Sequence, residues 1–208
     1  HNSSWCAAPK GTLVFTGGID EEPLQEVVRI AVDRDCSVST KPSMNVGRSY
    51  HSSLYSQGFI YVAGGWGGDN TLSGCERFSV NKDEWEVLPS LPTSVYSYCM
   101  FMEESSQMLY CVGGRHGGVG GATLRVIQQF SVEKLEWRVL ELALPSMFYC
   151  MPSFSSGGER YLVLEQDLYI FNPTSLRKVK TLPLPIRSFY GPAYYSHGTV
   201  FACSLNGP

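Results

Sequence analysis

Ile60-Tyr61-Val62-Ala63-Gly64-Gly65 is a strand-sized apolar run that ends in diglycine, and it does not stand alone. Leu13-Val14-Phe15-Thr16-Gly17-Gly18 precedes it, and Leu109-Tyr110-Cys111-Val112-Gly113-Gly114 follows, at spacings of about 47 and 49 residues. A fixed period of this size marks a chain built from repeated supersecondary units, read before any local propensity. Gly lacks a Cβ, so backbone and bulky side chains can approach each strand end closely.

A second marker recurs in step with the first. Glu76-Arg77-Phe78-Ser79-Val80 and Glu84-Trp85 follow the second diglycine, while Gln128-Gln129-Phe130-Ser131-Val132 and Glu136-Trp137 follow the third. Each Trp lies seven residues after its Phe. Trp85 and Trp137 are expected to cover the space the diglycines leave open. The pattern weakens toward both ends: Ser37 and Lys178 stand where Trp would fall, and Tyr161-Leu162-Val163-Leu164-Glu165 replaces the fourth diglycine strand. Each unit divides into four short strands separated by Gly, Asn, Asp and Pro turns, at about 48–55, 58–65, 74–80 and 84–88 in the second unit.

Diglycine, a Phe strand and a Trp at fixed distance resemble the kelch repeat family over nearly the whole chain. The resemblance implies an all-β fold, a kelch-type β-propeller of four-stranded antiparallel blades. The expected ring is partial, with about three full blades and two incomplete ones. The units fall at about 11–42 (lacking its opening strand), 46–90, 94–143, 146–183 and 187–208 (truncated), which reads as a piece of a longer protein.

Composition agrees with such a fold. The 208 residues include 21 Gly, 12 Pro and 12 Tyr, the usage of a β protein with many tight turns. The net charge of −3 arises from scattered charges with no basic run, so no nucleic-acid partner is expected. No apolar stretch reaches the roughly 18–20 residues of a membrane span, so no membrane partner is expected either. The chain opens on His1, with no signal-peptide pattern. Seven Cys without CxxC spacing, four of them in strand-like runs (Cys99, Cys111, Cys150, Cys203), point to a reducing, cytoplasmic setting. The sequon Asn2-Ser3-Ser4 is the one feature that points toward secretion.

Strand order puts the longer loops, 19–25, 66–74 and 115–123, on one face together with the blade-to-blade connections. Long loops on a rigid scaffold are where binding sites gather. The resemblance implies a basic or aromatic pocket there for a peptide or protein partner. Arg48 and Arg187 open their blades, and Tyr96 takes the corresponding place in the blade between. The candidate binding residues are Arg48, Trp66, Tyr96, Arg115, His116 and Arg187, with the arginines facing acidic groups of the partner. The alternative for the arginines is a bridge between neighbouring blades.

His1, His51, His116 and His197 form no metal-ligand spacing, and no metal or other cofactor is expected. His51 is expected to be a hydrogen-bonded core residue. The loop Arg115-His116-Gly117-Gly118-Val119-Gly120-Gly121 lacks the context of a phosphate-binding P-loop. No nucleophile elbow is present. The chain is therefore expected to be a protein-interaction module, not an enzyme, serving as the substrate-recognition part of a larger adaptor. Two other readings stay open. One is a propeller enzyme of sugar-oxidase or sugar-isomerase type, with Arg48, Tyr96, His116 and Arg187 meeting near the axis. The other is a purely structural repeat segment.

Overall fold

The computed structural model describes residues 2–32, 36–118, 120–149, 152–182, 194–196 and 199–201. Within them the repeat period becomes a series of antiparallel four-stranded sheets with no helix. The first blade is β1 (Ser4–Ala8), β2 (Thr12–Thr16), β3 (Val27–Ala31) and β4 (Ser37–Lys41). The second is β5 (Ser52–Ser56), β6 (Phe59–Ala63), β7 (Cys75–Ser79) and β8 (Glu84–Leu88). The third is β9 (Cys99–Glu103) and β10 (Met108–Val112), then a small hairpin of β11 (Arg115–His116) and β12 (Ala122–Thr123), then β13 (Ile127–Ser131) and β14 (Glu136–Val139). The fourth is β15 (Ser153–Ser156), β16 (Glu159–Leu164), β17 (Asp167–Asn172) and β18 (Ser175–Thr181). A two-stranded sheet of β19 (Tyr194–Ser196) and β20 (Thr199–Phe201) follows.

The first blade corrects one expectation. It does have an opening strand, because Ser4–Ala8 pairs with Thr12–Thr16 along its full length, from Ser4↔Thr16 to Ala8↔Thr12. The segment Ser-Trp-Cys-Ala-Ala carries no β-branched residue, and only Cys6 turns into the core. Pairing of the backbone, not side-chain propensity, holds it in place.

Stacking of the blades explains the burial pattern. The second strands β6 and β10 are buried on both faces, since each is covered by a blade on either side. Val14, Val27 and Met44 meet Ile60, Val62 and Phe78 between the first two blades. Tyr61, Ala63, Cys75 and Val95 meet Leu109, Cys111 and Phe130 between the next two. Phe101, Tyr110 and Ile127 meet Leu162, Leu164 and Phe171 between the last full pair. Each large apolar side chain sealed in this way contributes about 1.5–3 kcal/mol over exposure.

The two tryptophans have a different job from the one expected. Trp85 lies beside Phe78 at 5.3 Å between ring centroids, and Trp137 beside Phe130 at 5.0 Å. Each indole reaches sideways to the connection that enters its blade: Trp85 Nε1 donates to Pro42 O at 2.7 Å, and Trp137 Nε1 to Pro89 O at 2.8 Å. Both sit on the outermost strand, two strands away from the one that ends in diglycine, and pin the blade to the preceding connection. The diglycines are closed by the next blade instead. Gly18 N donates to Arg48 O at 2.9 Å, Gly65 N to Val95 O at 2.8 Å, and Gly114 N to Phe148 O at 2.8 Å.

His51 is buried, as expected, and its Nε2 lies 2.8 Å from Thr16 Oγ1 of the first blade. Burial first, and the nearby Arg48 charge second, push its pKa down from 6.5 to about 3. The folded protein therefore keeps His51 neutral, while the unfolded chain takes up a proton below about pH 6.5. Its contribution is complete above that pH and declines as pH falls toward about 3. The urea midpoint is expected to fall between pH 7 and pH 4, with His51→Gln showing a shallower fall than wild type in the same window.

Candidate functional site

Three hydrogen-bonded carbonyls set the true correspondence between blades: Arg48, Val95 and Phe148 each accept from the second glycine of the preceding diglycine. All three side chains are buried. Tyr96 therefore corresponds to Ser49, one residue further on, and not to Arg48. The strand itself begins only at Ser52, because Tyr50 and Ser97 take left-handed backbone at φ 51° and 53° just before it.

Arg48 is consequently removed from the surface. Its side chain is 1% exposed, with Nη1 donating to Gly64 O at 2.6 Å and Gly74 O at 3.0 Å. Nη2 donates to Glu76 Oε1 at 2.7 Å. Glu76 Oε2 accepts from Asn45 N at 2.9 Å and Asn45 Nδ2 at 2.8 Å. Of the two roles open to this arginine, the structure assigns the architectural one, since every contact fastens the connection between blades one and two. Arg187 lies outside the described residues.

Two repeated positions converge on the long-loop face around a cavity of about 360 Å3. One is the residue after the diglycine: Ile19, Trp66 and Arg115. The other is the opening of the next blade: Tyr50, Tyr96, Ser97 and Tyr149. Backbone pairing holds the two positions together. Ser49 and Trp66 exchange N–H···O bonds of 3.0 and 2.7 Å, and Tyr96 and Arg115 exchange bonds of 2.9 and 2.8 Å. A further pair runs from blade to blade, with Tyr50 N donating to Asn2 O at 3.1 Å and Ser97 N to Tyr50 O at 2.8 Å. These bonds hold Tyr50 in a conformation that costs a bulky residue about 1–3 kcal/mol, and such strain gathers at functional sites.

The side chains form an aromatic box with one cation. The Tyr96 ring meets Trp66 edge-on at 5.7 Å and Tyr50 at 6.3 Å. Arg115 lies over Tyr149 at 5.1 Å from the ring centroid, and its Nε donates to Gly121 O at 3.3 Å. Its terminal nitrogens have no protein partner among the described residues, so they can take a carboxylate in two-pronged fashion. Gly120, from the glycine-dense loop, borders the same space.

Of the six candidate residues, Trp66, Tyr96 and Arg115 line this one cavity. His116 does not join them: it is exposed, and its Nδ1 lies 2.9 Å from Ser94 Oγ and 3.0 Å from Ser94 O. Together with the Thr71 Oγ1 bond to Gly117 O at 2.8 Å, this contact anchors the loop. Ile19, Tyr50, Ser97 and Tyr149 escaped the sequence reading. Aligning the residue after each diglycine exposes Ile19, and aligning blade openings on the buried position exposes Tyr149. Among the described residues no three His, Cys, Asp or Glu side chains are grouped to hold a metal ion.

A family model of the kelch motif matches residues 47–92. Kelch-like protein 35 of Mus musculus is 27% identical over 150 residues, covering 70% of this chain and 25% of that protein. Kelch repeat and BTB domain-containing protein 2 of Cowpox virus (strain GRI-90 / Grishak) is 24% identical over 124 residues, covering 59% and 22%. The chain spans about a quarter of the length of these curated relatives. The solved structure of YjhT matches with a TM-score of 0.78 at 13% identity, covering 96% of this chain and 70% of that one. Likeness at that identity speaks for the fold alone.

Proposed function

From the premise that this chain is a kelch-repeat protein with propeller blades, we propose that it binds a protein or peptide partner on its long-loop face and carries out no catalysis of its own. The observation that carries this reading is the aromatic box of Tyr50, Trp66, Tyr96 and Tyr149, assembled from repeated positions around Arg115. Tyr, Trp and Arg are the side chains that dominate protein interfaces: Tyr and Trp offer large contact area with few rotors to freeze, and Arg offers a planar cation with several donors. An acidic group of the partner falls to Arg115, the cation of the box, and Arg48 takes no part because it is spent on Glu76. The matched relatives are named for kelch and BTB domains, which fits a recognition part within a larger adaptor. A reducing, cytoplasmic setting accords with Cys6, Cys75, Cys99 and Cys111, buried as free thiols.

Affinity capture from cell extract tests the reading, with wild type set against Trp66→Ala/Arg115→Ala and circular dichroism as the folding control. A folded variant should lose specific partners by tenfold or more. Lys82→Ala/Lys134→Ala, on exposed turns at the outer ends of the second and third blades, should retain them. Partners that survive the box variant unchanged would sink the assignment.

A further inference from the structure

Four carboxylates lie on the two loops that supply Ile19 and Trp66 to the cavity. Asp20, Glu21 and Glu22 directly follow Ile19, which lines the cavity, and Asp69 follows Trp66 by three residues. The two loops abut: a Cβ built on Gly68 would lie 3.3 Å from Glu22 Oε2. None of the four carboxylates forms a salt bridge among the described residues, although Asp20, Glu21 and Asp69 are exposed and Glu22 lies at the same rim. Arg48 cannot offset them, since its charge is buried against Glu76. Arg115 lines the cavity from the third blade and Ile19 lines it from the first.

We infer that the pocket selects a charge-segregated peptide, with an apolar or aromatic side chain in the box, a carboxylate on Arg115, and Lys or Arg over the Asp20–Glu22 and Asp69 rim. This rests on the interaction reading above and adds the polarity of the ligand and the direction in which it lies. A uniformly acidic peptide would gain one pair at Arg115 and meet four like charges beyond it. A uniformly basic peptide would meet the guanidinium at the box itself. Segregated charge alone complements both ends, and like-charge juxtaposition rejects the other two classes. Tyr50, Trp66 and Tyr96 between the two ends supply the desolvated contact that charge at a wet rim cannot.

A phage-displayed random peptide library panned on the full chain tests the inference, followed by fluorescence anisotropy with the most enriched peptide. Enriched sequences should carry Lys or Arg on one side of an aromatic or aliphatic anchor and Asp or Glu on the other. Asp20→Asn/Glu21→Gln/Glu22→Gln should weaken that peptide about tenfold and erase the basic preference while leaving the acidic one. Arg115→Ala should erase the acidic preference and leave the basic one. Selection that needs Trp66 but ignores the three rim carboxylates overturns the charge map alone. No enrichment, or enrichment that survives Trp66→Ala, overturns the binding site as well.

Discussion

Arg48→Ala is expected to destabilise the protein by about 3–5 kcal/mol, and Glu76→Gln by a similar amount, since each leaves one member of a buried pair without its counter-charge. The two residues are 1% and 2% exposed, and their 2.7 Å contact fastens the connection into the second blade. The third blade solves the same problem without charge. Val95 fills the place of Arg48, and Gln128 fills the place of Glu76, with its Oε1 accepting from Thr93 N at 2.8 Å and its Nε2 donating to Thr93 O at 3.0 Å. Arg48→Val/Glu76→Gln is therefore expected to recover at least half of the loss seen in either single variant. Urea denaturation of wild type, Arg48→Val, Glu76→Gln and the double variant closes the cycle and gives the coupling energy. A double variant as unstable as the sum of the singles would show that the pair is not the unit of stability here.

Gly114→Ala is expected to cost about 3 kcal/mol or more and to disturb the pocket with it. Gly114 has φ 95°, and a Cβ there would lie 2.7 Å from Tyr98 Cβ and 2.8 Å from Tyr96 O. The strand end must shift, and Tyr96, a wall of the pocket, shifts with it. Gly157→Ala is the matched control: its φ is 59°, and a Cβ there meets nothing within 4 Å. It should cost only about 1–2 kcal/mol, the price of left-handed backbone without a clash. Equal losses at the two sites would assign the whole effect to conformation and none to packing.

The difference between these glycines also shows what was legible in advance. The diglycine period located the second strands β2, β6 and β10, because a strand end pressed against the next blade tolerates no Cβ. The Phe and Trp columns located the outer strands for a similar reason, since an indole that caps a neighbouring carbonyl cannot be exchanged freely. The opening strand Ser4–Ala8 left no such mark, being held by backbone pairing, one core cysteine and the Ser4 hydroxyl bonded to Ser53. Arg48 was misplaced by one residue because alternation of polar and apolar types cannot reveal a left-handed residue. Tyr50 and Ser97 break the two-residue alternation there, and every side chain before them changes face. The same shift hid Tyr149 and made Tyr96 look like the partner of an arginine.

Paired backbone groups hold Ser49 to Trp66 and Tyr96 to Arg115, so the walls of the cavity stand on bonds that ignore what the side chains are. Such positions are free to diversify. On the proposed interaction reading, substitution there would alter what is recognised while leaving the blades intact, and a family of chains could drift in ligand preference without passing through unfolded ancestors. Variation among such chains should therefore gather at the residue after each diglycine and at the blade openings, with the buried positions Arg48, Val95 and Phe148 changing only together with their neighbours.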